Sequence, residues 1–502
     1  MLLIHPPVAK PSEPPAGIAR LAGALSAHKI PCTLLDANLE GMLHLLRRTM
    51  PDEPPDTWTS RAMRNHDRNL AAVGSAATYR SPDRYKRAVI DLNRALEHQS
   101  SGIAGIANYQ DPALSPLRSS DLLRSAQHPE QNPFYPYFSM RLRALVEKNH
   151  PSVVGMSLSY LSQALTAFAM IGFLRNTWPH LKIACGGGLM TSWMRRPGWN
   201  APFSGLIDCC IEGPGEAALL GLAGIHETDK PHAPDYSSLP LYEYLAPGPV
   251  LPYSASSGCL WNRCSFCPEH AEDNRYMPIA AARAAEEVKQ LVQQHHPLLI
   301  HFLDNALSPA LMHALIAAPP GAPWYGFVRI GKDLADPDYV RALKTSGCVM
   351  LKLGIESGDQ GVLDALSKGV DLATASAALR TLKNTGIATY AYLLFGTPVE
   401  TRKEALKTLS FTEQHAHAIT FLNLAIFNMP VGTPDAERYG TGSFYEGDLS
   451  LYTDFAHPAG WNRREVRRFL NEEFRRNPAI AAVVKNDPPF FTSNHAPFFC
   501  NR

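Results

Sequence analysis

Ser256 to Glu269 reads SSGCLWNRCSFCPE, and its three cysteines, Cys259, Cys264 and Cys267, decide how the rest of the chain is read. The run follows an expected strand, VLPYSAS, and precedes an amphipathic helical stretch, IAAARAAEEVKQLVQQ. Three soft thiolates on one tight loop can reach a single small inorganic centre, and such ligands select zinc, copper or iron–sulfur. A structural zinc wants a fourth ligand and usually two separated pairs. A cubane held by three protein thiolates leaves one iron open, which is a catalytic arrangement. His270, just beyond the third cysteine, would complete a zinc site, so a noncatalytic zinc-binding protein stands as an alternative.

Downstream, apolar runs recur at 251–256, 298–303, 323–328, 349–355, 388–395 and 420–427, with helical stretches between. Six such units predict a partial (β/α)6 barrel over 251–440, with its site at the strand carboxyl ends. Polar or small residues follow those runs: Asp304 and Asn305 after HFL, Arg329 after GFV, Glu356 after LKLGI, Gly396 after AYLLF and Asn428 after LAIF. Each has a structural reading as well. Asp304 suits a helix N-cap, Glu356 a charge at a helix N-terminus, and Arg329 a salt bridge. Tyr390 and Tyr392 are read as packing residues.

Upstream, Leu2–His5, Cys32–Leu35, Val153–Ser157, Ile183–Cys185 and Leu206–Ile211 are strand candidates, with helices at 17–27 and 161–175. They predict one open α/β sheet in a domain over 1–225. A polar, mostly helical insertion at about 41–148 interrupts it, with loops rich in Pro and Ser around 109–135. Gly186–Gly187–Gly188 follows the fourth strand, where glycine lets a ligand or another backbone approach closely. Residues 226–250 read as a linker. The stretch 441–502 reads as an irregular extension with a helix near 462–475, closing the lower side of the barrel or a substrate channel. Cys500 reads as a free thiol there, with approach to an open iron as the alternative.

The 502 residues carry 47 Lys and Arg against 46 Asp and Glu, a net charge of +1. That balance argues against a general nucleic-acid binder. The basic patches Arg47–Arg48 and Arg463–Arg464–Arg468 read as solvated faces. No stretch has the length of a membrane span. MLLIHPPVAKP does not read as a signal peptide. Nine cysteines, scattered apart from the loop and Cys209–Cys210, suggest a reducing cytoplasm and not a disulfide framework.

C-x4-C-x2-C with Phe266 before the last cysteine resembles the cluster loop of the radical S-adenosylmethionine (SAM) enzymes. Their commonest spacing, C-x3-C-x2-C, is one residue shorter. The resemblance implies a [4Fe–4S] cluster on Cys259, Cys264 and Cys267, with SAM on the open iron. It also implies an electron donor such as flavodoxin or ferredoxin, and a 5′-deoxyadenosyl radical. LDNAL, with Asp304 and Asn305, resembles the segment lining the SAM amino group. GIESGDQGVLDALSKG resembles the motif near the SAM ribose, which singles out Glu356. Arg329 is then a partner for the SAM carboxylate or the substrate, and Phe266 a cofactor neighbour. MPVGTP, Met429 to Pro434, resembles a loop bordering the substrate cavity.

The first domain resembles the cobalamin-binding domain found in one branch of that family, an assignment carried by several turns. They are His5–Pro6–Pro7, Pro14–Pro15–Ala16–Gly17, Gly186–Gly187 and Glu212–Gly213–Pro214–Gly215–Glu216. The D-x-H-x-x-G signature of many cobalamin proteins is absent, since Ala37 and Asn38 follow Asp36. The resemblance covers roughly 1–40 and 150–440. It implies cobalamin-assisted methylation of an unactivated carbon of a small-molecule or peptide substrate, with no catalytic acid or base singled out. A rearrangement or oxidative cyclisation without methyl transfer, with or without cobalamin, is the alternative.

Overall fold

The computed structural model describes residues 1–48, 56–226, 231–442, 447–491 and 495–500. Expectations touching 49–55 in the insertion, 227–230 in the linker, and 443–446, 492–494 and 501–502 in the extension lie outside the described residues. The chain divides into two compact units. One comprises Met1–Val250, Glu446–Leu451 and Pro489–Phe491; the other comprises Leu251–Tyr445, Tyr452–Pro488 and Thr492–Arg502. The C-terminal stretch is thus shared between them.

In the first unit, β1 (Leu2–His5), β2 (Thr33–Asp36), β3 (Val153–Ser157), β4 (Lys182–Gly186) and β5 (Cys209–Cys210) form a parallel sheet of order β2-β1-β3-β4-β5. Strand β1 is buried along its whole length, as expected where helices cover both faces of a parallel sheet. The order reverses between β1 and β3, and open α/β sheets bind ligands outside the strand carboxyl ends at such a switch point. Helix Leu161–Thr177 is buried from Gln163 to Leu174. Helix Ser119–Gln127 packs against it, and Gly172 permits the approach, because a side chain there would run into the Ala126 carbonyl.

Two expectations are corrected in this unit. The fifth strand is only Cys209–Cys210, because 201–207 turns back on itself through Ser204 N–H to Ala201 O and Ile207 N–H to Phe203 O. The segment 109–135 is not all loop, since Ser119–Gln127 is helical with Leu122 and Ala126 buried.

The second unit carries β6 (Val250–Tyr253), β7 (Leu299–Phe302), β8 (Trp324–Val328), β9 (Cys348–Glu356), β10 (Ala388–Phe395) and β11 (Phe421–Ile426). They are neighbours in chain order, with helices between successive strands. This is the partial (β/α)6 arrangement expected from the spacing. The expected tail helix is α-helical over Arg463–Phe469 and continues as a π-helical turn, Leu470–Phe474, that brings Phe474 to 5.3 Å from Phe395. Further on, His495 packs 4.5 Å from both Tyr390 and Phe421. Those two residues stand near the amino ends of β10 and β11, so this part of the tail covers the lower end of the barrel. Cys500, whose thiol points to the Ala496 carbonyl, lies there too and not at the cysteine loop. Tyr390 and Tyr392 pack on one another at 4.6 Å.

Candidate active site

The cysteine loop leaves the carboxyl end of β6, and a short antiparallel pairing of Ser256–Ser257 with Met277–Pro278 closes its base. Gly258 sits at φ +70° with its backbone against the Arg275 carbonyl, where only glycine fits. Two residues after β7 brace this entry. Asp304 Oδ2 accepts from Ala255 N–H at 3.0 Å and Oδ1 from the Ser256 hydroxyl at 2.5 Å, while Asn305 Nδ2 donates to Gly258 O at 3.1 Å. Burial raises the Asp304 pKa, and these hydrogen bonds oppose the rise. Asp304 is therefore no helix cap; Ser308 caps the following helix by accepting from Leu311 N–H.

The far side of the loop docks on the segment 366–369. Ser265 N–H donates to Leu366 O at 3.1 Å and Trp261 Nε1–H to Ser367 O at 2.9 Å. The Arg329 guanidinium lies 3.8 Å from the Trp261 ring centre and donates to Lys368 O and Gly369 O at 2.8 and 3.0 Å. Arg329 thus engages carbonyls and an aromatic face, not the salt bridge considered from the sequence. Lys368 Nζ bonds Glu356 Oε1 at 2.7 Å and lies 5.7 Å from the Phe266 ring centre. Glu356 ends β9 at φ +65°, where the register with β10 shifts. It is not the helix charge considered above, because Asp359 caps the next helix by accepting from Val362 N–H.

The three thiols are half-buried. Burial pushes Cys267 up to about 11 and also raises Cys264, each further raised by a neighbouring thiol, while Lys368 and Arg329 pull Cys264 back down. Among the described residues no three His, Cys, Asp or Glu side chains, His270 included, are arranged to hold a metal ion. The donor chemistry nevertheless fits a thiolate-bound iron–sulfur cluster. The set is thiol-only, its members feel one another's charge, and two cations stand ready to offset the thiolates.

The expected first-unit residues gather at strand carboxyl ends. Pro6 and Pro7 are buried after β1, and Gln163 Nε2 donates to Pro6 O at 2.8 Å. Gly187, at φ +105°, admits the backbone of Leu158, which a Cβ would meet at 2.5 Å. At Gly187 another backbone does approach closely, as a glycine there allows. Gly186 O accepts from Leu158 N–H at 2.7 Å. Thr191 links the next two turns, donating to Gly187 O at 3.0 Å and accepting from Gly213 N–H at 2.9 Å. Glu212 pairs with Arg195 at 2.7 Å.

A cleft of about 200 Å³ opens at the carboxyl ends of β10 and β11, among Gly396, Phe427, Asn428, Met429, Phe455 and Arg463. Arg463 Nη1 donates to Asn428 Oδ1 at 2.6 Å, so this arginine lines a cleft instead of a solvated face. Beside it, Glu400 is fully buried and accepts from Gly396 N–H at 2.5 Å and Trp461 Nε1–H at 3.0 Å.

With this geometry in place, residues 253–412 match the radical SAM superfamily. The chain carries a radical SAM domain. An uncharacterised methyltransferase of Pyrococcus horikoshii is 24% identical over 305 residues, 54% of this chain and 66% of that protein, so the match spans just under two thirds of the relative. Among solved structures, the radical SAM methyltransferase TsrM of Kitasatospora setae, with tryptophan substrate and a SAM analogue bound, superposes with a TM-score of 0.54. It is 16% identical, over 89% of this chain and 79% of that one. The cobalamin-dependent SAM radical enzyme OxsB, with aqua-cobalamin and SAM bound, gives 0.56 at 12% identity, over 94% and 66%. At such identities the likeness is one of fold. The chain, with one parallel sheet in each unit, thus shares its fold with these solved structures.

Sequence reasoning missed Trp261, Lys368 and Gln163. Trp261 had a signal, the longer cysteine spacing. Lys368 stands inside the GIESGDQGVLDALSKG stretch, but its pairing with Glu356 is set by the fold. Gln163 had a local signal too, since its Oε1 accepts from Ser159 and Tyr160 N–H at the helix start, while its bond to Pro6 O is long-range.

Proposed function

We propose that this protein is a radical SAM enzyme that uses cobalamin to methylate an unactivated carbon. The observation that carries the reading is the docking of the three-cysteine loop beside the Lys368–Glu356 pair at the carboxyl ends of the barrel strands. When bound, a [4Fe–4S] cluster with SAM supplies a radical able to take hydrogen from carbon, and cobalamin supplies the methyl group. Cys259, Cys264 and Cys267 are the thiolates for the cluster. Asp304 and Asn305 hold the loop that carries them, and Phe266 packs beside it. Glu356, oriented by Lys368, accepts hydrogen bonds from ribose hydroxyls. Residues 1–225, with Pro6, Pro7, Gly186, Gly187, Glu212 and Gly213 at the sheet's carboxyl edge, form the corrinoid side. Residues 251–440 form the reaction barrel. The cleft at Asn428 and Arg463 receives one end of the substrate, because about 200 Å³ is smaller than a whole-ligand pocket. No general base is needed, since hydrogen-atom abstraction replaces deprotonation; the protein positions its components and keeps other reactants out. A flavodoxin or ferredoxin supplies the electron.

Anaerobic purification and reconstitution, followed by iron, corrinoid and SAM-product analysis on one sample, tests this. Iron near four per chain, bound cobalamin, 5′-deoxyadenosine and S-adenosylhomocysteine are expected. Iron and 5′-deoxyadenosine without cobalamin or S-adenosylhomocysteine would remove methyl transfer, and zinc alone would remove the radical enzyme.

A further inference from the structure

The cysteine loop is one residue longer than the commonest spacing of the family it resembles, and Trp261 lies within the lengthened interval between Cys259 and Cys264. Its indole is held at edge and face. Nε1–H donates to Ser367 O at 2.9 Å, and the Arg329 guanidinium covers the ring at 3.8 Å. Arg263, next to Cys264, approaches the same ring at 5.1 Å. Opposite, Gly369 at φ +64° leaves the space the ring fills, since a Cβ there would overlap the indole. Arg329 then donates to Lys368 O and Gly369 O with one terminal nitrogen. Three elements therefore meet at one indole: the cysteine loop, the end of β8 and the segment that carries Lys368.

We infer that Trp261 and Arg329 form a clamp that fixes the lengthened cysteine loop onto residues 367–369, and that Arg329 acts on the cluster through Trp261 instead of ligating SAM. This rests on the cluster reading above for its metal readout, but the clamp itself belongs to the protein. Its geometry explains why an arginine is used. A planar guanidinium can stack on an indole while its N–H groups reach carbonyls, whereas an ammonium presents a compact point charge. Both residues are positioning residues.

Arg329→Gln, Arg329→Lys, Trp261→Ala and Gly369→Ala test it, the last leaving both clamp side chains in place but adding a Cβ that would push the indole off its seat. On anaerobically reconstituted protein, iron release to a chelator is expected to rise about tenfold in all four, the scale of lost supporting contacts around a metal site. SAM binding per cluster-bearing molecule stays within about twofold of wild type, less than 1 kcal/mol. On metal-free protein, trypsin cleavage at the exposed Arg263 is expected to be faster in each variant than in wild type. An Arg329→Gln protein that keeps its iron and its protease resistance, but binds SAM about tenfold more weakly, a loss of about 1.4 kcal/mol, would make Arg329 a SAM ligand and end the clamp. A wild-type chain that takes up no iron would defeat the cluster reading alone. The trypsin comparison then still decides the clamp, because equal cleavage in wild type and variants overturns it.

Discussion

Lys368 Nζ stands 2.7 Å from Glu356 Oε1, with side-chain exposures of 11% and 12%, so the pair is largely withdrawn from water. Glu356 ends a barrel strand, and Lys368 lies within the segment that receives the cysteine loop. One ion pair therefore ties the proposed ribose acceptor to the cluster loop. Removing one member of a buried pair strands the other charge, at a cost of about 3 kcal/mol. Lys368→Met should lower stability by that amount in a denaturant titration. Glu356→Gln, which keeps shape and an acceptor oxygen, should cost less stability but weaken SAM binding, read by equilibrium dialysis on reconstituted protein. A Glu356→Gln protein with unchanged SAM affinity would remove the ribose role.

Glu400 supplies a pH dependence. Burial pushes its pKa from 4.5 up to about 7, against the opposing hydrogen bonds from Gly396 and Trp461. Among the described residues its Oε1 has no partner. The folded state therefore holds a proton that the unfolded chain releases near 4.5. Stability from this group is fully present below pH 4.5, falls as pH rises, and levels off above about 7, a loss of about 3 kcal/mol. Urea titrations at pH 5 and pH 8 should show Glu400→Gln losing less stability than wild type over that interval. Equal losses would mean that another group dominates.

The repeating period of strands and helices made both sheets legible, because parallel strands covered on two faces leave mostly apolar runs such as Leu2–Ile4 and Val349–Leu351. The cysteine spacing marked the loop for the same local reason. What stayed hidden is long-range. Whether Asp304 caps a helix or braces a loop depends on Ser256, forty-eight positions earlier, and on Ser308 being the better-placed cap. Arg329 and Trp261 are apart in sequence and meet only when the barrel closes. The Leu206–Ile211 stretch reads as a strand because it is apolar apart from Asp208, yet the turn built around Gly205, at φ +84°, leaves only two residues to pair.

Asp304→Ala removes both acceptors from the entry of the cysteine loop. The Ala255 amide is then left buried without its partner, at about 1–3 kcal/mol. The damage should be concentrated on the loop. Iron retention after reconstitution should fall, whereas aqua-cobalamin uptake, read from its visible absorbance, should match wild type. Asp304→Asn, which keeps one acceptor oxygen, should fall between. Loss of corrinoid together with iron would mean that the substitution unfolds more than the loop.

Gly187→Ala separates two roles for the glycine run at the carboxyl edge of the first sheet. A Cβ there would sit 2.5 Å from Leu158 O, and φ of +105° is a conformation that L side chains rarely adopt. Strain of this kind costs about 1–3 kcal/mol, so the thermal midpoint should fall. Because the space beside Gly187 is already filled by the Leu158 backbone, corrinoid bound per folded molecule should stay at the wild-type level. The measurement is cobalamin absorbance on protein recovered from size exclusion, normalised to the folded fraction. Reduced binding per folded molecule would mean that the ligand itself lies against Gly187, and that the close approach of Leu158 is not the reason for a glycine at this position.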